Sequence, residues 1–142
     1  MSIYADSSYV ASLYVIGAHS AEARRRAALK PIVWLTPFNR AELAHAVYSQ
    51  VFRGRITSTE ASRAWELYEE DCIAGIWIPI DLPQRTWETS INLARSFGPT
   101  LGVRTLDSLH VACAMELSAQ KFWTFDDRQA KLAEAAGLDT TA

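Results

Sequence analysis

Short apolar runs alternate along this chain with longer stretches of helical period. Residues 3–5 (IYA), 32–36 (IVWLT), 76–80 (IWIPI) and 121–125 (KFWTF) are rich in β-branched and aromatic side chains and read as strands. Pro79 has no N–H to give a ladder, so the third run lies at a sheet edge or ends a strand. The tail beyond Gly137 is expected to add a short fifth strand.

Between these runs the pattern predicts helices over residues 7–15, 20–29, 37–52, 58–74, 83–97, 105–118 and 127–136. Pro37 suits a first helical turn, and Thr57 or Ser58 can cap the helix that carries Glu60 in its first turn and stops at Gly75. Strands alternating with helices imply an α/β fold, a parallel β-sheet flanked by helices on both faces. No repeat, low-complexity tract or linker interrupts residues 1–142, so one domain is expected.

Composition changes this picture little. A hydrophobic fraction of 49% and a charged fraction of 21% suit a water-soluble globular domain. No apolar run approaches the roughly 20 residues of a membrane span, and no leader pattern precedes the first strand, so a cytoplasmic protein is expected. Cys72 and Cys113 show no metal-type spacing and read as reduced structural residues. A net charge of −2 argues against a surface coated for nucleic acid. It leaves room for a local groove, because Arg24, Arg25, Arg26 and Lys30, then Arg53 and Arg55, cluster. Such clusters are also ordinary solvated helix faces.

The chemistry lies in the acids. In open parallel sheets, ligands bind beyond the carboxyl ends of the strands. Asp6 follows the first strand directly, and Asp126 stands at the end of KFWTF. If those strands are neighbours, both acids reach the mouth of the sheet. Each has a plainer reading. Asp6 can cap a helix, and Asp126 with Gln129 matches a capping box. Asp107 lies in the first turn of its helix, where a negative charge complements the dipole. Glu42 fits such accounts less well, since it falls mid-helix among Ala41, Leu43, Ala44 and Ala46. Gathered carboxylates repel one another, and a divalent cation would make the gathering tolerable. Oxygen-only ligands suit a hard ion, Mg²⁺ or Mn²⁺, which can activate water for attack on a phosphodiester.

The stretches IYADSS, NRAELAHAV, RTLDSLHVACAMEL and KFWTFDDR together resemble the PIN-domain ribonucleases. The likeness is strongest to the VapC-like toxins of bacterial type II toxin–antitoxin pairs. It runs from Asp6 to Gly137, with RTLDSLHVA and FWTFDDR its specific part. The resemblance implies a metal-dependent endoribonuclease acting on RNA, a Mg²⁺ or Mn²⁺ cofactor, homodimers, and a cognate antitoxin protein. Its four acids fall on Asp6, Glu42, Asp107 and Asp126, expected to be catalytic and to hold the metal. Its hydroxyl neighbours fall on Ser7 and Thr124, expected to support the acids or bond a phosphate oxygen. Asp126 matches the family position, and Asp127 reads as a first-turn dipole residue.

Other conspicuous side chains have plainer readings. His110 and His45 each lie three residues after a site acid and are expected to be hydrogen-bonded packing residues. Arg104 and Arg40 either touch an RNA backbone or pair with the acids when metal is absent. Trp34, Trp77 and Trp123 belong to strands and should be core, with Trp65 and Tyr68 core or a partner patch. An aspartyl-nucleophile phosphatase or dehalogenase carries a second Asp two residues after the first, where this chain has Ser8. A nucleotide-binding Rossmann domain needs a glycine-rich turn that DSSYVAS lacks. The serious alternative is a non-catalytic α/β interaction module whose acids are helix caps.

Overall fold

The computed structural model describes residues 1–142. Four strands form one sheet: β1 (Ser2–Ala5), β2 (Ile32–Leu35), β3 (Trp77–Pro79) and β4 (Lys121–Trp123). Their order is β3-β2-β1-β4 and every pairing is parallel. The α/β architecture is therefore as the alternation predicts, and β1 and β4 are neighbours, with Tyr4 opposite Phe122. Pro79 sits in the edge strand, where its missing N–H interrupts nothing.

Seven helices connect and cover the strands: α1 (Ser7–Tyr14), α2 (Ser20–Ala27), α3 (Pro37–Phe52), α4 (Ser58–Ile73), α5 (Thr86–Leu101), α6 (Thr105–Glu116) and α7 (Asp127–Ala135). Alternation along the strands divides the core in two. Ile3, Ala5, Val33, Leu35 and Trp123 pack with α1, α3 and α4 on one face. Tyr4 and Phe122 pack with α5, α6 and α7 on the other. Residues Asp107 to Ala114 of α6 are buried, so this helix is covered nearly all round rather than along a stripe. No helix is long and apolar enough to cross a membrane.

Capping chemistry fixes the helix starts. Thr57 and Glu60 form a capping box at α4, and Thr36 with Asn39 forms another at α3 behind Pro37. The Asn39 amide also donates to the Ala5 carbonyl at 3.0 Å, which ties the start of α3 to the end of β1.

Several expectations need correction. The tail forms no fifth strand: only the Phe122 N–H reaches it, donating to Asp139 O at 2.9 Å. Its anchorage is instead through side chains, with Lys121 and Trp123 bonding Thr141. Helix α5 begins at Thr86, because residues from Pro83 make a separate turn. It runs past Phe97 to Leu101, with Pro99 inside, and Gly102 ends it at a φ of 62°. Trp34 is half-buried rather than core, whereas Trp77 and Trp123 are buried. Tyr68 is buried and Trp65 half-buried, and both pack into the core beside α3.

Candidate active site

A cleft of about 420 Å³ opens at the carboxyl end of the sheet. Asp6, Glu42, Asp107 and Asp126 all line it, together with Ser7 and Arg104. Four different elements deliver these acids. Asp6 stands between β1 and α1, and its N–H donates to Trp123 O at 3.0 Å, continuing the strand pairing past β4. Glu42 comes from the second turn of α3, Asp107 from the first turn of α6, and Asp126 from the cap of α7.

Asp6 is almost fully buried and held on every side. Its Oδ1 accepts from the Ser8 and Tyr9 N–H groups at 3.1 and 3.2 Å, which is helix capping. The same oxygen accepts the Ser8 hydroxyl at 2.6 Å, and Oδ2 accepts the Thr124 hydroxyl at 2.9 Å. Burial pushes the Asp6 carboxyl above the usual aspartate range, although nearby His110 and these bonds oppose the rise.

Glu42 shifts the other way. Burial raises it, but the hydrogen bonds from His110 and the Ser7 hydroxyl, with the Arg104 charge nearby, outweigh burial, leaving the carboxyl below its usual value. Oε1 lies 2.7 Å from His110 Nε2 and also accepts the Ser7 hydroxyl.

The other two acids share an arginine. Arg104 Nε donates to Asp107 Oδ2 at 2.8 Å, and its Nη2 donates to Asp126 Oδ2 at 3.3 Å. Gln129 Nε2 adds a bond to Asp107 Oδ1 at 3.3 Å. The capping box expected at α7 is therefore only half made. Gln129 N donates to Asp126 Oδ1, but the Gln129 side chain reaches across to Asp107 instead of back to the cap.

The sequence-predicted residues thus divide. The cleft brings together the four acids and Ser7, and Thr124 stands behind Asp6. Asp127 is exposed in the first turn of α7 and does not line the cleft. Arg104 takes the acid-pairing option, whereas Arg40 does not pair with the cleft acids. It pairs with Glu69 at 3.7 Å and stacks over Trp65 and Tyr68. His45 is exposed and makes no packing bond; at three residues from Glu42 it falls on the outer side of α3. His110 is a fully buried packing residue as expected, but one that also holds Glu42. In the basic cluster, Arg25 and Arg26 pair with Glu22. Sequence reasoning missed Ser8 and Gln129. The signal for Ser8 was present, since a Ser two residues after a capping Asp can bond it; nothing local marked Gln129's partner.

No three carboxylates converge into a ready-made ion cage here. The donor set nonetheless fits a hard cation. Every acid oxygen at the cleft is a carboxylate, no Cys or His faces it, and a guanidinium already sits between Asp107 and Asp126. The positions demand positive charge.

The sequence matches the PIN domain family over residues 3–135. This chain belongs to the PIN domain family. Solved structures agree on the fold. VapC20 of Mycobacterium tuberculosis, a sarcin-ricin loop cleaving toxin, superposes with a TM-score of 0.70 at 18% identity, covering 98% of each chain. FitAcB of Neisseria gonorrhoeae gives 0.68 at 17% identity, covering 99% of this chain and 96% of that one. A Pyrobaculum aerophilum protein gives 0.64 at 14% identity, over 96% of this chain and 86% of that one. Comparison with curated proteins gave no match. At these identities the PIN fold, rather than any activity, is what the neighbours share with this chain.

Proposed function

We propose that this PIN-domain protein is a metal-dependent endoribonuclease that hydrolyses RNA phosphodiester bonds as the toxin of a toxin–antitoxin pair. The observation that carries the reading is that Asp6, Glu42, Asp107 and Asp126, from four different elements, all line one cleft at the carboxyl end of a parallel sheet. Asp6, Asp107 and Asp126, with Glu42, would hold Mg²⁺ or Mn²⁺, which supplies a water of lowered pKa and neutralises charge on the phosphate. The chain's own contribution is placement. Ser8 and Thr124 fix both oxygens of Asp6, and Ser7 and His110 fix one of Glu42. Ser7 and Thr124 therefore support acids rather than bond phosphate. Arg104 is more than half exposed; a cation held by these acids would displace it and leave it free to meet the RNA backbone.

The toxin assignment draws on the family and on neighbours in fold such as VapC20, itself a toxin. With it come a cognate antitoxin, a homodimer and a cytoplasmic setting. A non-catalytic interaction module accounts for Asp6 and Asp126, which do cap α1 and α7. It gives no reason for Glu42 and Asp107 to face the same cleft.

The decisive experiment is RNA cleavage by purified protein. Mn²⁺ or Mg²⁺ should support cutting of single-stranded RNA, EDTA should abolish it, and Asp107→Asn should slow it by about 10²–10³. Cleavage that survives both chelation and the substitution defeats the reading. Induced expression should arrest bacterial growth and the Asp6→Asn protein should not; equal arrest by both removes the toxin assignment.

A further inference from the structure

His110 is a polar ring with no exposed surface, in the most deeply buried helix of the fold. Packing explains part of its presence: Phe38 lies 4.4 Å away centroid to centroid and Tyr4 approaches edge-on at 5.8 Å. Packing does not require that both ring nitrogens be met, and they are. The Tyr4 hydroxyl lies 2.8 Å from Nδ1, and Glu42 Oε1 lies 2.7 Å from Nε2.

The direction of these bonds follows from Glu42. A carboxylate can only accept, so the ring proton is assigned to Nε2 and donated to Oε1, and Nδ1 then accepts the hydroxyl of Tyr4, whose ring stacks on Phe122 in the core. With the Ser7 hydroxyl on the same atom, Oε1 has two donors and Oε2 has none. We propose that Tyr4 and His110 are positioning residues, a buried line from the sheet that anchors one oxygen of Glu42 and leaves the other to the cleft.

The placement of the two residues supports this. Tyr4 lies on β1, two positions before Asp6, and His110 follows Asp107 by three positions on α6. The strand and helix that carry two of the acids thereby also aim a third, which belongs to α3. A glutamate is long and rotationally free, and without such a clamp its carboxylate would sample several directions. Fixing a hydrogen-bonded oxygen in the core converts Glu42 into a ligand with a single available oxygen. The task assigned to Glu42 rests on the nuclease reading; the clamp itself does not.

Three full-length variants test it: Tyr4→Phe, which removes one oxygen atom; His110→Leu, which removes both bonds; and His110→Gln, whose amide can still donate to Glu42. The measurements are kcat and KM for RNA cleavage, the Mn²⁺ dissociation constant, and the ¹⁵N spectrum of the His110 ring without metal. Losing a partner that orients a metal-binding group costs about ten- to hundredfold in activity or metal affinity. His110→Leu should lose that much in kcat and in Mn²⁺ affinity with KM unchanged, Tyr4→Phe should lose less, and His110→Gln should recover most of the loss. The wild-type spectrum should show the ring proton on Nε2, and Tyr4→Phe should mix the tautomers. Lowered melting temperatures with kcat and Mn²⁺ affinity intact would reduce both residues to packing and overturn the proposal. If His110→Leu does not fold, Tyr4→Phe carries the same decision. A wild type that neither cuts RNA nor binds Mn²⁺ ends the nuclease reading, and the tautomer then decides the clamp alone: a proton on Nδ1 overturns it.

Discussion

On the α1 and α3 side of the cleft, hydroxyls, backbone amides and an imidazole hold Asp6 and Glu42. On the α6 and α7 side, one exposed arginine bridges Asp107 and Asp126, with a single amide from Gln129 assisting. The first set of donors is buried and short-ranged and can stay in place when a cation arrives. The second is a long charged side chain whose position the cation would contest. One half of the cleft is held by buried donors and the other mainly by a single exposed charge.

Cutting into either half should show first in catalysis. Asp6→Asn and Asp107→Asn are each expected to slow RNA cleavage by about 10²–10³, the scale of losing one electrostatic contact to a developing charge. Rate measurements at saturating Mn²⁺ check this. Near-wild-type cleavage by one of them would mean that the reaction uses only the other half.

Metal should also stabilise the fold by mass action, by roughly 2.7 kcal/mol at a hundredfold excess over Kd. Thermal melts with EDTA and with Mn²⁺ read this directly, and Asp6→Asn and Asp126→Asn should lose most of the gain because an amide is a poorer ligand for a hard ion. If no protein responds to Mn²⁺, the acids are caps alone.

The contrast between the halves is sharpest at Arg104 and Ser7. Arg104→Gln removes a competing cation, so Mn²⁺ should bind tighter, by about fivefold or more if the coupling is of ordinary size. Ser7→Ala frees Glu42, so Mn²⁺ should bind more weakly. Calorimetric titration distinguishes the signs; a shift in the same direction for both would erase the distinction drawn here.

The smallest effect is a pair of opposite pH dependences within the half held by buried donors. Asp6 holds its proton more tightly folded than unfolded, so its contribution to stability falls as pH rises from about 3.8 through the folded value. Glu42 holds its proton less tightly when folded, so its contribution is present above about 4.5 and disappears as pH falls through the lowered value. In EDTA at neutral pH, Asp6→Asn should therefore raise the melting temperature, while Asp6→Ala should fall below Asn by about 1 kcal/mol through loss of the cap. Glu42→Gln should lower it. Shifts of one sign for Asp6→Asn and Glu42→Gln would show that burial, rather than the donors around each acid, governs both.

Much of this was legible in the chain because it depends on short-range pattern. Strand and helix periods, the Pro37 start and the Thr57–Glu60 box are local; the four clear strands, the Pro37 start and the box appear where expected, and among the helices α5 alone is markedly displaced. Asp6 and Asp126 could be placed together once their strands were neighbours. What escaped was decided by contacts between elements. Gln129 carries the local sign of a capping box, yet Asp107 on another helix takes its amide. His45 and His110 stand at the same spacing from an acid, and only the packing of α6 between sheet and α5 separates them. Arg40 and Arg104 likewise read alike until the aromatic pair on α4 takes the first. The fifth strand is absent because, beyond one Phe122–Asp139 backbone bond, the tail is held by the side chains of Lys121 and Trp123.

The central strand has a consequence for when the cleft exists at all. β1 is the first strand made and β4 the last, and the contact between Ser2 and Gln120 spans 118 positions of sequence. Closing so long a loop costs more entropy than any local pairing and slows its formation. Until that closure, Asp6 lacks the Thr124 hydroxyl and the anchoring of its N–H on Trp123, and Asp126 has no fixed place. The cleft is therefore absent through most of the chain's synthesis and appears late and all at once, when the last strand joins the first.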